Sequence, residues 1–326
     1  MPSSSQKKFL VTGGAGFIGS HLVEELLERG HEVKVLDNFA TGKKENLEQL
    51  SSGRFVPGRD FEVIEGDIRD YGTVLAATAG LDGIFHQAAL GSVPRSVADP
   101  LTTQEVNATG TLNVFWAAFQ NNVSRVVYAS SSSVYGSSVI LPKKEGSEGQ
   151  ALSPYALTKK INEDHGKLFK DLYNLNTVGL RYFNVYGPRQ DPNSEYAAVI
   201  PRFVTRLLSG VSPIIYGTGL QSRDFTFVKD VVLANLMSME ASPEVCGAAY
   251  NVGRGDQINL LELLDNLKSL LGSQIEPVFE PTRPGDVMHS SADVTLAKEK
   301  IGFQAHWELE KGLETSIGYY KKALGG

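Results

Sequence analysis

Thr12-Gly13-Gly14-Ala15-Gly16-Phe17-Ile18-Gly19 sets three glycines at spacing GxxGxxG between a β-branched run, Lys8 to Thr12, and a stretch of helical periodicity. A strand turned into a helix through such a loop is the opening unit of a parallel sheet covered by helices. Gly13 allows the tight turn, Gly16 lets a pyrophosphate approach the backbone, and Gly19 permits close helix–strand packing. The helix N-terminus adds unpaired amides and partial positive charge. Asp37 closes the next expected strand, eighteen residues after Gly19. A carboxylate there accepts both hydroxyls of an adenosine ribose and repels a 2′-phosphate, so NAD is expected over NADP. A glycine turn alone is an ordinary connection, and Asp37 makes it informative.

The alternation continues. Strands are expected at Lys8 to Thr12, Glu32 to Leu36, Glu62 to Glu65, Gly83 to His86, Arg125 to Ala129 and Val178 to Phe183, with helices between them. This predicts an α/β fold, a Rossmann-type doubly wound parallel sheet. Asp99-Pro100 and Ser153-Pro154 each put a capping side chain before a first-turn proline, so two helices start there. After about Arg181 come Pro/Gly-rich loops, a short strand at Pro213 to Tyr216, and helices near 198–209 and 259–271. The expected division is an NAD-binding domain over 1–180 and a smaller mixed α/β substrate-binding domain over 181–326, interleaved, with parts of about 225–253 returning to the sheet. Asp67-Ile68 and Ala88-Ala89 follow the third and fourth strands, at the carboxyl edge where such sheets bind ligand.

Composition narrows the partners. With 41% hydrophobic and 21% charged residues, the 326-residue chain has the profile of a soluble globular protein. No apolar run is long enough for a membrane span, and a cytoplasmic address is expected. A formal charge of -6 disfavours nucleic acid as a partner. The single cysteine, Cys246, can form no internal disulfide, and the six histidines lack zinc spacings, so no metal is expected.

Tyr155 and Lys159 lie four apart on one face of an expected helix, and Ser130 to Ser133 follow the fifth strand at the carboxyl edge. The Tyr–Lys pair alone is an ordinary solvated pair; its position gives it meaning. A phenol of pKa about 10 is a poor base near neutrality, but a neighbouring ammonium and a nicotinamide cation both favour phenolate, and a serine hydroxyl can share the proton. Such a trio suits deprotonation of a sugar alcohol while its carbon gives hydride to nicotinamide.

These residues resemble the extended short-chain dehydrogenases/reductases that act on nucleotide sugars: Gly13xxGly16xxGly19, the serine run before Val134-Tyr135-Gly136, and Tyr155xxxLys159. Within that group, Arg181-Tyr182-Phe183-Asn184-Val185-Tyr186-Gly187, Ala197 to Phe203 and Ser222-Arg223-Asp224-Phe225 resemble the UDP-sugar 4-epimerases. The resemblance implies Ser131 and Tyr155 as the catalytic pair, with Lys159 holding the nicotinamide ribose and tuning Tyr155. It implies Asn184, Arg223 and Arg283 on the UDP diphosphate, Val199 and Phe203 at the uracil, and Asp286 on the nucleotide ribose. Ser92, Ser132, Ala198 and Tyr216 join the expected substrate contacts. Phe17, Ile18, Asn38, Asn107 and Tyr182 join Asp67, Ile68, Ala88 and Ala89 at the cofactor. Arg95, Arg189 and Arg202 are expected to be surface residues, and His86, His165 and His289 satisfied polar ones.

The resemblance also narrows the reaction. The group's dehydratases carry an Asp-Glu pair after the catalytic hydroxyl residue, where this chain has Ser132-Ser133, and its UDP-glucuronate decarboxylases place a glutamate in a segment that has none here between Ala129 and Lys144. C4 epimerisation of a UDP-hexose remains. Ser290 falls where a bulky tyrosine narrows the hexose pocket of other epimerases, which points to UDP-GlcNAc and UDP-GalNAc, with UDP-glucose and UDP-galactose also able to fit. A UDP-glucose 4-epimerase, a UDP-glucuronate epimerase or decarboxylase, and a non-enzymatic NAD-sensing regulator are the alternatives. Helices near 100–121 and 155–173 pair into a homodimer in this family, and Phe115, Trp116 and Phe119 offer apolar surface here, equally suited to the core.

Overall fold

The β-branched runs become strands of one all-parallel sheet. The computed structural model describes residues 6–192, 198–282 and 288–323. Strands β1 (Lys8–Thr12), β2 (Glu32–Asp37), β3 (Glu62–Glu65), β4 (Gly83–His86), β5 (Arg125–Ser131), β6 (Thr177–Tyr182) and β7 (Ala248–Val252) stand in the order β7-β6-β5-β4-β1-β2-β3. Strand order reverses between β1 and β4, which opens a crevice at their carboxyl ends. β5 runs past the expected Ala129 because Ser130 and Ser131 pair with Arg181 and Tyr182. β7 comes from the second half of the chain and covers β6.

Among the helices are α1 (Phe17–Glu28), α2 (Tyr71–Ala77), α3 (Gly110–Gln120), α4 (Pro154–Tyr173), α5 (Val199–Leu208), α6 (Val228–Glu240), α7 (Leu260–Leu271) and α8 (Leu309–Ala323). The strand period of two sends alternate residues to opposite faces. Val11, Val35, Val127 and Val178 meet Leu22 and Leu26 of α1 and Val231 of α6, while Leu10, Ile84, Val126 and Tyr128 meet Val114 and Phe115 of α3 and Phe169 of α4. Each such buried side chain contributes about 1.5–3 kcal/mol of transfer free energy. A third core joins Ile200, Phe203 and Leu207 of α5 to Leu263 and Leu267 of α7 and Leu313 and Ile317 of α8.

Both expected caps form. Asp99 accepts from Thr102 N, and Ser153 accepts from Ala156 N with Pro154 in the first turn. One π-helical turn, Glu105–Thr109, interrupts the helical stretch between Pro100–Gln104 and α3. Among the described residues no helix is long and apolar enough to cross a membrane.

Candidate active site

The glycine turn is held in the conformation its residue types allow. Gly13 has φ +68°, and a Cβ there would stand 2.7 Å from Ala88 N; one on Gly19 would stand 2.1 Å from Gly13 O. Helix α1 thus lies against β1 with no room for a methyl group. Its N-cap, Gly16, offers no side-chain cap, and no acidic residue occupies the first turn, so the helix's positive end faces a cleft of about 380 Å³. Asp37 is 7% exposed and accepts from Ala15 N (2.9 Å) and Phe39 N (2.8 Å), while burial pushes its carboxyl up. Gly13, Gly16, Phe17, Ile18, Gly19, Asp37, Asn38, Asp67, Ile68, Ala88, Ala89, Tyr155, Lys159 and Tyr182 all line this cleft. Arg69, whose guanidinium holds Asp67 down to about 2, and Gln87, which accepts from Tyr182 Oη (3.1 Å), line it too. The sequence reading missed both, although each lies just beyond a strand's carboxyl end.

Asn107 does not line that cleft but stands behind its wall. It is fully buried, accepts from Leu90 N (2.7 Å), and donates to Leu90 O (3.1 Å) and Thr158 Oγ1 (3.3 Å). The π-helical turn aims it at the loop after β4, so it shapes the wall that Leu90 and Gly91 form. Ser92 caps the short helix Val93–Ala98 by accepting from Arg95 N (3.2 Å).

Ser131 ends β5, and Tyr155 and Lys159 occupy the first turns of α4. The Ser131 hydroxyl hydrogen-bonds the Tyr155 phenol and also accepts from Ser133 N (3.2 Å). Lys159 is 3% exposed; its Nζ donates to Ala129 O (2.8 Å) and stands 5.8 Å from the Tyr155 ring centroid. Burial lowers the lysine to about 8, against the pull of Glu163. Burial also pushes the Tyr155 phenol up, opposed by the Ser131 hydrogen bond. The serine thus works against the burial cost of a phenolate, as the sequence reading expects of a hydroxyl beside Tyr155. Ser132 opens the 3-10 turn Ser132–Tyr135 beside this group. His86 sits between Thr12 Oγ1 (2.6 Å) and Thr111 Oγ1 (2.9 Å), and burial lowers it to about 3, so it stays neutral. His289 Nδ1 pairs with Ser222 Oγ (2.8 Å), but His165 Nδ1 is buried without a partner, contrary to expectation.

A second cleft, of about 250 Å³, gathers Asn184, Ala198, Val199, Phe203, Tyr216 and Arg223. Asn184 Nδ2 donates to Asp224 O (3.0 Å). Arg202, expected at the surface, lines this cleft with its guanidinium 5.7 Å from the Tyr216 ring centroid. Arg189, likewise expected at the surface, is nine-tenths buried against Glu24. Ser290 pairs with Arg223 in a short strand contact, and its carbonyl accepts from Asp224 N (2.9 Å). Asp224 is fully buried and accepts from the backbone amides of Arg254, Gly255 and Ala292 at 2.9–3.1 Å, which ties the strand behind Arg223 to two neighbouring loops. Arg283 and Asp286 lie outside the described residues.

Residues 9–253 match the NAD dependent epimerase/dehydratase family. A UDP-glucose 4-epimerase of Mycolicibacterium smegmatis is 38% identical over 314 residues, covering 96% of this chain and 98% of that one. The UDP-N-acetylglucosamine 4-epimerase of Methanobrevibacter ruminantium, solved with UDP-N-acetylmuramic acid, superposes with a TM-score of 0.92 at 39% identity, over 98% of this chain and 100% of its own. The UDP-glucose 4-epimerase of Thermus thermophilus, solved with NAD, gives 0.86 at 36% identity, over 97% and 99%. The uncapped helix end, the glycines too crowded for a Cβ and the carboxylate closing β2 fit that dinucleotide, and the chain belongs to the NAD-dependent epimerase/dehydratase family.

Proposed function

We propose that the protein is a UDP-hexose 4-epimerase that interconverts UDP-GlcNAc and UDP-GalNAc, with UDP-glucose and UDP-galactose as smaller sugars that also fit. The observation that carries this reading is the Tyr155–Lys159 pair on the wall of the glycine-loop cleft, with Ser131 directly behind the lining residue Ser130, in a chain that also builds a second cleft around Asn184 and Arg223. The first cleft takes NAD, with α1 and Asp37 on its pyrophosphate and adenosine ribose. When bound, the nicotinamide supplies the acceptor, and then the donor, of a hydride at C4.

Tyr155 Oη takes the C4 hydroxyl proton and later returns it, with Ser131 Oγ sharing it. Lys159 keeps positive charge beside the phenol. The second cleft takes the nucleotide: Val199, Phe203 and Tyr216 flank the uracil, and Arg223 grips the diphosphate through its fixed donor fork. Holding only the nucleotide leaves the 4-keto hexose able to turn, so the hydride returns to the opposite face. Of the first two carboxylates after the serine run, Glu148 is held by Arg181, and Glu145 accepts from Asn251 N (2.7 Å) through one oxygen. Ser290 beside Arg223 gives the hexose pocket a small wall that admits an N-acetyl group.

A homodimer goes with this reading. Leu157, Leu168, Leu172 and Tyr173 of α4 are exposed, as are Leu101 and Leu112. This apolar stripe matches a second copy of itself. We also place the enzyme in the cytoplasm, consistent with its free Cys246 thiol.

Purified protein given UDP-GalNAc and no added NAD should form UDP-GlcNAc. Tyr155→Phe should lose about 10²–10⁴ in kcat while keeping its UDP affinity. A panel of four UDP-hexoses and UDP-glucuronate without any C4 product would refute the assignment.

A further inference from the structure

The buried charge pair behind the catalytic group is not explained by cofactor or substrate contacts. Glu163 lies four residues beyond Lys159 on the same face of α4, and Arg181 is the penultimate residue of β6; they are 7% and 5% exposed. Arg181 grips Glu163 with both prongs, Nε to Oε1 and Nη2 to Oε2, each at 2.8 Å. The remaining valences are used in one direction. Ser130, the residue before Ser131, donates its Oγ to Glu163 Oε1 (2.6 Å), and Arg181 Nη1 donates to Tyr135 Oη (3.0 Å) and to Glu148. Tyr135 Oη passes the chain to Asn251 Oδ1 (2.7 Å) on β7.

We infer that the Glu163–Arg181 pair is the positioning device of the active site, fixing the end of β5 against α4 so that the Ser131 hydroxyl meets the Tyr155 phenol. This rests on the proposed C4 epimerisation. Two elements must be held relative to each other, since Ser131 is on a strand and Tyr155 on a helix. Behind the Ser131–Tyr155 contact, α4 is tied to that strand end by Lys159 Nζ on Ala129 O and by Glu163 on Ser130. A backbone-parallel helix can slide along a strand, but a bidentate guanidinium–carboxylate pair resists both sliding and rotation because its two bonds must stay coplanar. Misplacement of a reacting group by about 1 Å costs on the order of 10²-fold in rate. Neither Glu163 nor Arg181 lines either cleft, so both act through Ser131 and Tyr155 and not on the ligand.

Removing one partner strands a buried charge and endangers the fold, so the test uses the double variant Glu163→Gln/Arg181→Met beside Glu163→Gln alone, both built on Glu148→Gln so that no carboxylate is left without Arg181; replacing the members of a buried ion pair by neutral residues of similar size is commonly tolerated. The expected result is a double variant with wild-type Tm, wild-type KM and wild-type UDP affinity, and a kcat reduced about 10- to 100-fold. A double variant with wild-type kcat overturns the inference. So does one whose kcat loss is matched by equal losses in UDP affinity or Tm, since the pair would then merely hold the fold. A wild-type enzyme that epimerises no UDP-hexose overturns the functional reading instead. The inference then stands or falls on a crystal structure of the double variant, in which the Ser131–Tyr155 hydrogen bond must be broken, and its persistence would refute the positioning role.

Discussion

Lys159→Met isolates the electrostatic cost of the catalytic group. Lys159 is almost wholly buried, and desolvation lowers its pKa from 10.5 to about 8. Below pH 8 the folded and unfolded chains both carry the proton, and the native state bears the full cost of a buried ammonium. Between the two values the folded lysine releases its proton while the unfolded one keeps it, so stability rises with pH across that window. At about 1.36 kcal/mol per unit, wild type should gain ~2.5 kcal/mol from pH 7 to pH 10 relative to a methionine variant that has no such proton. At pH 7 the substitution relieves about 3 kcal/mol of this burial cost. It also leaves Ala129 O without its 2.8 Å partner, a loss of about 1–3 kcal/mol. The variant should therefore be inactive yet no less stable than wild type at pH 7. Equilibrium urea unfolding of both proteins, at one fixed NAD concentration and at intervals from pH 7 to pH 10, gives the difference directly. A difference that stays flat, or that moves in the variant's favour as pH rises, refutes the placement of an uncompensated ammonium beside Tyr155.

Gly19→Ala puts a Cβ 2.1 Å from Gly13 O and must lift α1 off its strand; the purified variant should bind NAD more weakly in a titration followed by calorimetry, and unchanged NAD affinity would contradict the packing argument. Asp224→Asn offers one oxygen to three backbone donors and should destabilise by about 1–3 kcal/mol, read as a lowered Tm, with UDP affinity falling as the Arg223 strand loosens. An unchanged Tm would show that those donors are satisfied elsewhere. Ser290→Tyr should lower the ratio of N-acetylated to plain UDP-hexose turnover, and an unchanged ratio would remove Ser290 from the gate.

What could be read in advance was local. The glycine turn, the caps at Asp99 and Ser153, and the Tyr155–Lys159 spacing depend on neighbours within a few positions, so residue type and spacing were enough. The bonds of Asn107 to Leu90 and Thr158 span sequence distances of 17 and 51, and nothing local announces them. Arg202 and Arg189 looked like surface charges because nothing near them in sequence announces Tyr216 or Glu24. The Glu163–Arg181 pair escaped notice for the same reason, since a helix and a strand must first pack before a carboxylate and a guanidinium can share two bonds. The burial that pushes the Tyr155 phenol up has no signal in spacing either.

The late arrival of β7 bears on how the chain can be made. β6 is buried along its whole length, and its outer edge is completed by Ala248–Val252, which a ribosome delivers only after α5 and α6. Until residue 252 clears the exit tunnel, the nascent sheet ends in an open apolar rim, an invitation to wrong pairing that chaperones would have to shield. Any recombination that exchanges the nucleotide-sugar half for another must for the same reason carry this strand across with it or leave the remaining sheet without its border.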